Sequence, residues 1–193
     1  MPKLGMEPIR RAALVKATIG EIGRAGSLDV TVGQIAKRAG MSTALAHHYF
    51  GAKDQIFLAA MRHILSEYGA AVRVALASAN GPRGRLEAII RAGFAPDQFQ
   101  GDVVSAWLNF YVAAQNSTQA RRLLTVYQRR LRSNLLHDLR GLLGYKAPEA
   151  AETLAALIDG FYIRAALGQG KPDAEATSAL VLASLSRMIG ERA

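Results

Sequence analysis

The sequence contains no cysteine. That excludes disulfides, thiolate metal sites and a cysteine nucleophile, and it fits a reducing, cytoplasmic setting. No apolar run approaches the roughly 18 to 20 residues that a membrane-spanning helix needs, and the opening MPKLGMEPIRR lacks the apolar stretch of a signal peptide. The expectation is a soluble chain with no membrane partner. Strand signals are almost missing: Val30-Thr31-Val32 is the one short β-branched cluster, and it sits at a helix start. There is no Walker A motif, no complete GxGxxG, no HExxH and no nucleophile elbow, so no catalytic residue is expected. Adjacent His47 and His48 point about 100° apart on a helix with no third ligand nearby, and no metal site is expected either.

What the 193 residues do hold is positive charge and apolar bulk. Twenty-four Lys and Arg against 15 Asp and Glu give a net charge of +9, and half of the residues are hydrophobic. Such a chain can bury a core, and its charge favours a polyanionic partner such as nucleic acid. The excess is spread out: residues 1 to 55 hold eight basic against four acidic side chains, and residues 121 to 140 hold six Arg against Asp138 alone.

Apolar residues recur at helical spacing along nearly the whole chain, which predicts an all-α fold. Pro8 opens a first helix whose face of Ile9, Ala12, Ala13, Val15, Ile19 and Ile22 ends at Gly26. Thr31 with Gln34 forms a capping box for a short second helix that Gly40 ends; Ser42 caps an equally short third helix ending near Tyr49 and Gly51. A long fourth helix runs from Lys53 to about Ser78, and five more are expected at about 83 to 94, 102 to 115, 118 to 142, 148 to 168 and 173 to 190. The expected division is a three-helix head at 1–52 and a helical body at 53–193, packed together through the fourth helix.

Within the head, TVGQIAKRAGMSTALAHHYF has the parts of a helix-turn-helix: small Ala36 at a helix crossing, Gly40 for a left-handed turn, and an apolar seam of Val32, Ile35, Ala39 and Leu45. Ser42, Thr43, Ala44, His47 and His48 then face outward, where hydroxyls, imidazoles and a methyl can meet major-groove base edges. Thr31, Tyr49 and Lys53 complete the set expected to bind DNA. Tyr49 and Lys53 suit phosphates, and Lys53 also stands at a helix start that favours anions. A plain helical hairpin with a glycine turn is the alternative.

The longer stretch TVGQIAKRAGMSTALAHHYFGAKDQIF closely resembles the signature of the TetR family of repressors, through Thr31, Ile35, Ala36, Ala39, Gly40, Ser42, Tyr49, Phe50, Lys53 and Asp54. The family pattern often has Gly at the place of Ala44 and Tyr at that of His47. The resemblance implies a nine-helix homodimer, an N-terminal helix-turn-helix, and an interface made by the last two helices. The opening MPKLGMEPIRR, with MRHIL, AWLNFYVAAQ and ALIDGFYIRAAL, further resembles the choline-responsive repressors of glycine betaine synthesis within that family. This implies repression of the genes for oxidising choline to glycine betaine, relieved by choline. A repressor of the same family that senses another small cationic or hydrophobic ligand is the alternative; a helical enzyme, or a binding module without DNA activity, lies further off.

Nine of the 13 aromatic residues fall between Phe94 and Tyr162. Trp107, Phe110 and Tyr111 share a helix face, and with Phe94 and Tyr127 they are expected to wall a pocket for a small-molecule effector. A quaternary ammonium has no N–H to donate, so aromatic faces and a carboxylate suit it, and Asp159 is the acid chosen, with Asp97 and Asp102 as others. Core packing is the competing account of the aromatics; close helix packing beside Gly160 competes for Asp159. Ala155, Leu157, Ala166, Leu180 and Ser184, on two helices poor in charge, are expected at a homodimer interface. Two-fold symmetry would set two reading helices about 34 Å apart and so imply a near-palindromic double-stranded operator. The Arg-rich segment after Arg121 reads either as a solvated face or as a contact for an anionic surface.

Overall fold

The computed structural model describes residues 5–170 and 172–190. Met1 to Leu4, which belong to the opening stretch of the resemblance, and Lys171, in the expected turn before the last helix, lie outside the described residues. Among those described there are nine α-helices and no strand: α1 (Met6–Ala25), α2 (Val32–Arg38), α3 (Thr43–Phe50), α4 (Lys53–Ser78), α5 (Gly81–Gly93), α6 (Gly101–Asn116), α7 (Thr118–Leu143), α8 (Ala147–Ala166) and α9 (Ala174–Met188). The all-α expectation therefore holds, with every helix within a few residues of its predicted place. Two short 3-10 turns, Pro96–Phe99 and Gly144–Lys146, occupy segments that looked like plain connections. No helix of the described residues is long and apolar enough to cross a membrane.

The chain divides into two compact units. One comprises Met1–Ser66 and Gln100–Arg122; the other comprises Glu67–Phe99 and Leu123–Ala193. The expected head boundary after residue 52 falls inside the first unit, which also takes in the start of α4 and all of α6.

In the first unit α1 is the common support. It buries Leu14, Val15, Ala17 and Ile22, and it packs against both α2 and α6. The approach to α6 is close enough that a β-carbon on Gly23 would lie 2.6 Å from the Asp102 α-carbon, so only glycine fits there. Asn109 of α6 donates to the Gly26 carbonyl at 3.3 Å and to its own Ser105 carbonyl at 2.8 Å, tying α6 to the end of α1. On the other flank Glu21, only 3% exposed, accepts from Arg24 and, at 3.2 Å, from Arg38 at the end of α2. The Arg24 guanidinium, helped by Arg38, holds the Glu21 carboxyl below the ordinary range despite the opposing cost of burial.

In the second unit α8 buries Ala147, Ala151, Leu154, Ile158 and Tyr162, and α9 buries Ser178, Val181 and Leu185 at i, i+3 and i+7. The two helices pack on each other and on α5. Arg85 of α5 donates to the buried Asp138 of α7 at 2.9 Å.

The Glu21 pairing carries a pH signature. Its folded pKa lies below the unfolded value, so the stability it supplies is present above the ordinary carboxylate range and lost as pH falls through the folded pKa. Glu21→Gln is expected to lower the melting midpoint by about 2–4 °C at neutral pH and to narrow the gap from wild type in acid, as read by circular dichroism at a series of pH values.

Candidate functional site

The turn between α2 and α3 is built as the spacing predicts. The Thr31 hydroxyl accepts from the Gln34 N–H at 3.1 Å while the Gln34 amide oxygen accepts from the Thr31 N–H at 2.6 Å, completing the capping box. The Thr31 hydroxyl also donates to that amide oxygen at 2.9 Å, so it is already engaged on the protein side. Gly40 sits at φ +66°, Ala36 is fully buried, and Ser42 caps α3 by accepting from the Leu45 N–H at 3.2 Å. Ala46 is the buried anchor of α3.

The opposite side of α3 is open. Ser42, Thr43, Ala44, His47 and His48 are all exposed, and Tyr49 is half-buried. The structure brings these residues to one short helix and its cap. The two residues assigned to phosphates sit differently. The Lys53 ammonium donates to the Leu28 carbonyl at 2.9 Å, pinning α4 to the loop before α2 and leaving two of its three N–H donors for other partners. Tyr49 is held by α1: its carbonyl accepts from Arg11 at 2.6 Å, its hydroxyl from Arg10 at 3.5 Å, and the Arg11 guanidinium lies 5.4 Å from the Tyr49 ring centre and 5.1 Å from that of Phe50. The sequence gives no hint of this role for Arg11, because a lone Arg on a mixed helix face carries no local signal. The role comes from a partner 38 residues away.

The aromatic residues fall into two groups. Trp107, Phe110 and Tyr111 stand on α6 in the first unit, with Trp107 at 5.9 Å from each of the other two ring centres and Phe110 fully buried. Phe94, Tyr127 and Asp159 belong to the second unit, where two residues outside the expected set, Tyr68 and Phe99, join them. Tyr127 donates its phenol hydrogen to Asp159 at 2.8 Å, and the Tyr68 ring meets the Tyr127 ring edge-on at 5.9 Å. Phe94 stacks with Phe99 at 6.2 Å, Phe99 meets Tyr162 at 5.1 Å, and the Tyr162 hydroxyl donates to the Gln98 carbonyl at 2.8 Å. Tyr68 escapes a sequence reading because it precedes the aromatic-rich stretch and looks like an ordinary core position of α4.

Electrostatically, Tyr68, Tyr127 and Asp159 form one cluster. Burial pushes the Asp159 carboxyl above the ordinary carboxylate range, and the Tyr127 hydrogen bond partly restrains the rise. Burial raises the Tyr68 phenol well above its usual value, with the nearby Asp159 charge adding to it, and burial raises Tyr162 likewise. The cluster thus sets one carboxyl group beside aromatic rings. Of the other acids in this region, Asp97 is exposed on the 3-10 turn and accepts from Gln98, and Asp102 faces Gly23. A β-carbon on Gly160 would meet nothing within 4 Å, so packing inside one chain does not require that glycine. Among the described residues no three His, Asp or Glu are grouped as metal ligands would be.

On α8 and α9, Ala155, Leu157, Ala166 and Ser184 are partly exposed, Leu180 is 52% exposed and Leu167, just past the end of α8, is 66% exposed. The Ser184 hydroxyl donates to the Leu180 carbonyl of its own helix at 3.0 Å, so its hydrogen is already used on that face. Of the arginines on α7, Arg121 donates to the Ala114 and Gln115 carbonyls at the end of α6, and Arg132 pairs with Glu152 at 3.0 Å.

Removing the Tyr127 hydroxyl tests the electrostatics of the cluster. In Tyr127→Phe the Asp159 carboxyl loses the interaction that restrains it, and its pKa is expected to move further up in a carbon NMR titration of labelled aspartate.

The chain is similar to known proteins in sequence and in fold. Residues 82–190 match the family model of BetI-type transcriptional repressor C-terminal domains, and residues 14–60 match that of bacterial regulatory proteins of the tetR family. The HTH-type transcriptional regulator BetI of Brucella abortus (strain 2308) is 53% identical over 182 residues, which cover 94% of this chain and 92% of the relative. Its counterpart from Agrobacterium fabrum is 52% identical over 168 residues, 86% of this chain and 82% of the relative. Among solved structures, a transcriptional regulator from Pseudomonas aeruginosa PAO1 superposes with a TM-score of 0.83 at 25% identity, covering 97% of this chain and 93% of the other. A regulator from Saccharomonospora viridis, solved in complex with choline, gives 0.81 at 23% identity over 92% of this chain and 95% of the other.

Proposed function

Because the chain belongs to the TetR family of bacterial regulatory proteins and carries a BetI-type repressor C-terminal domain, we propose that it represses the genes for converting choline to glycine betaine and releases them when choline binds. Residues 1–52 read the operator and residues 53–193 bind the effector and dimerise. The relatives are named as transcriptional regulators, and the reading is of a regulator rather than an enzyme.

The head supports DNA reading through an exposed α3 face of Thr43, Ala44, His47 and His48 on a helix capped by Ser42 and fastened by Arg11. Tyr49 and Lys53 serve on the phosphate side, Lys53 through its remaining donors, and Thr31 caps the helix that precedes the turn. The partly exposed Ala155, Leu157, Ala166 and Ser184 and the exposed Leu180 support a homodimer through α8 and α9, and with it a near-palindromic operator. Tyr49→Ala is expected to weaken binding to a DNA fragment from upstream of the chain's own gene. Lys53→Ala is expected to reduce the slope of log affinity against log salt by about 0.9 for every phosphate that the variant no longer neutralises. Unchanged affinity and slope in both variants would refute the assignment of these residues.

The effector reading is carried by one observation: a half-buried carboxylate, Asp159, bound to the phenol of Tyr127 beside the ring of Tyr68. A trimethylammonium group has no hydrogen to donate to protein acceptors, and a desolvated negative charge next to aromatic faces is what it requires. Phe94 backs this unit through its stack with Phe99. In the other unit Trp107, Phe110 and Tyr111 are further effector candidates through their ring faces alone, and Trp107→Ala tests them separately.

The pH dependence has a definite sign. With its folded pKa raised, Asp159 stabilises the free protein relatively more below the ordinary carboxylate range, and that contribution is lost as pH rises through the folded pKa. Bound choline favours the ionised form, so choline affinity is expected to fall as pH drops through that raised pKa, with a proton released on binding in mildly acid buffer. Calorimetry should show Asp159→Asn weakening choline by at least about tenfold and removing the proton release, and Tyr127→Ala weakening it by about 2- to 30-fold. Equal binding of choline to Asp159→Asn and wild type would exclude this site.

A further inference from the structure

The His47 imidazole is not a free rotor at the end of α3. Its Nδ1 lies 2.6 Å from the Gly51 carbonyl oxygen, and the Gly51 N–H returns a bond of 2.7 Å to the His47 carbonyl. The pair closes the end of the helix in both directions. Gly51 makes it possible because it adopts φ +72° and ψ −107°, a backbone conformation that side chains disfavour and that turns its carbonyl back toward the ring.

A carbonyl oxygen can only accept, so Nδ1 carries the hydrogen. In the neutral ring the other nitrogen, Nε2, is then a bare acceptor, and His47 is exposed on the same face as Thr43 and Ala44, one turn earlier. In the major groove only two groups donate: the N6 amino group of adenine and the N4 amino group of cytosine. Guanine and thymine offer acceptors alone there, which face Nε2 lone pair to lone pair.

We infer that His47, its tautomer set by the Gly51 carbonyl, is a specificity-determining residue that reads an amino-bearing base, adenine or cytosine, as a hydrogen-bond acceptor. This rests on α3 being the helix that enters the groove. An unconstrained imidazole could equally turn a donor toward guanine; the bond to Gly51 leaves no donor on the outward edge of the neutral ring. Gly51 acts as a positioning residue.

The test uses the full-length protein and duplexes that it selects from a randomised library, at about pH 8, where free imidazole is neutral. Single-atom base analogues are then placed through the half-site: purine for adenine and 2-pyrimidinone for cytosine remove the amino group, and 7-deazapurines remove the N7 acceptor. At one position in each half-site, deleting the amino group is expected to cost wild type about 5- to 100-fold in affinity. His47→Ala should be indifferent to that deletion while keeping wild-type sensitivity elsewhere, with an unchanged melting profile in its core. A position sensitive in a His47-dependent way to 7-deazapurine, but not to amino deletion, would show His47 donating and overturn the inference, as would sensitivities identical in wild type and His47→Ala. Selection of no duplex by wild type would overturn the DNA-reading assignment itself.

Discussion

The first unit depends on how closely α6 lies against α1. At Gly23 there is no room for a single methyl group before the Asp102 backbone, so the two helices meet at backbone distance. Asn109 adds a polar tie to Gly26 across the same seam. From its other flank α1 holds α2 through Glu21 and Arg38, and the end of α3 through Arg10 and Arg11. One helix therefore touches both α6, which bears Trp107, Phe110 and Tyr111, and α3, whose other face is exposed. Through α1, α6 and the end of α3 thus share one support.

That arrangement is partly legible in the sequence. Thr31, Gln34, Gly40, Ser42 and Ala36 announce themselves because capping, left-handed turns and close crossings are local demands met by particular residue types at fixed spacings. The nine helices follow from apolar period and stop signals for the same reason. Arg11, Asp102 and Asn109 are not legible in their roles, since each acts on a partner far away in sequence, and nothing in the flanking residues distinguishes a tying Arg or Asn from a solvated one. Lys53 shows the converse: its place at a helix start points to an anion, yet its first partner is a protein carbonyl.

The aromatic stretch divides for a related reason. Sequence proximity groups Phe94 with Trp107, but Phe94 and Trp107 belong to different compact units. Tyr127 and Asp159, 32 residues apart, share a hydrogen bond that neither composition nor period can reveal. Concentration of aromatics points to a region; the pairing of rings with a carboxylate needs the third dimension. Tyr145, counted in the same concentration, is 89% exposed and takes no part in either group.

On the effector reading proposed above, the Asp159 carboxylate also discriminates by sign. A partly desolvated anion attracts an alcohol or aldehyde that bears only a quaternary ammonium, but it repels a zwitterion that brings its own carboxylate, because the second negative charge must then share the same low-dielectric surroundings. Precursor and end product of an oxidation that converts a terminal alcohol to a carboxylate differ in that one respect. On that reading the sensor registers supply more than accumulation, and its gene control is feed-forward: more responsive to incoming substrate than to the carboxylate product.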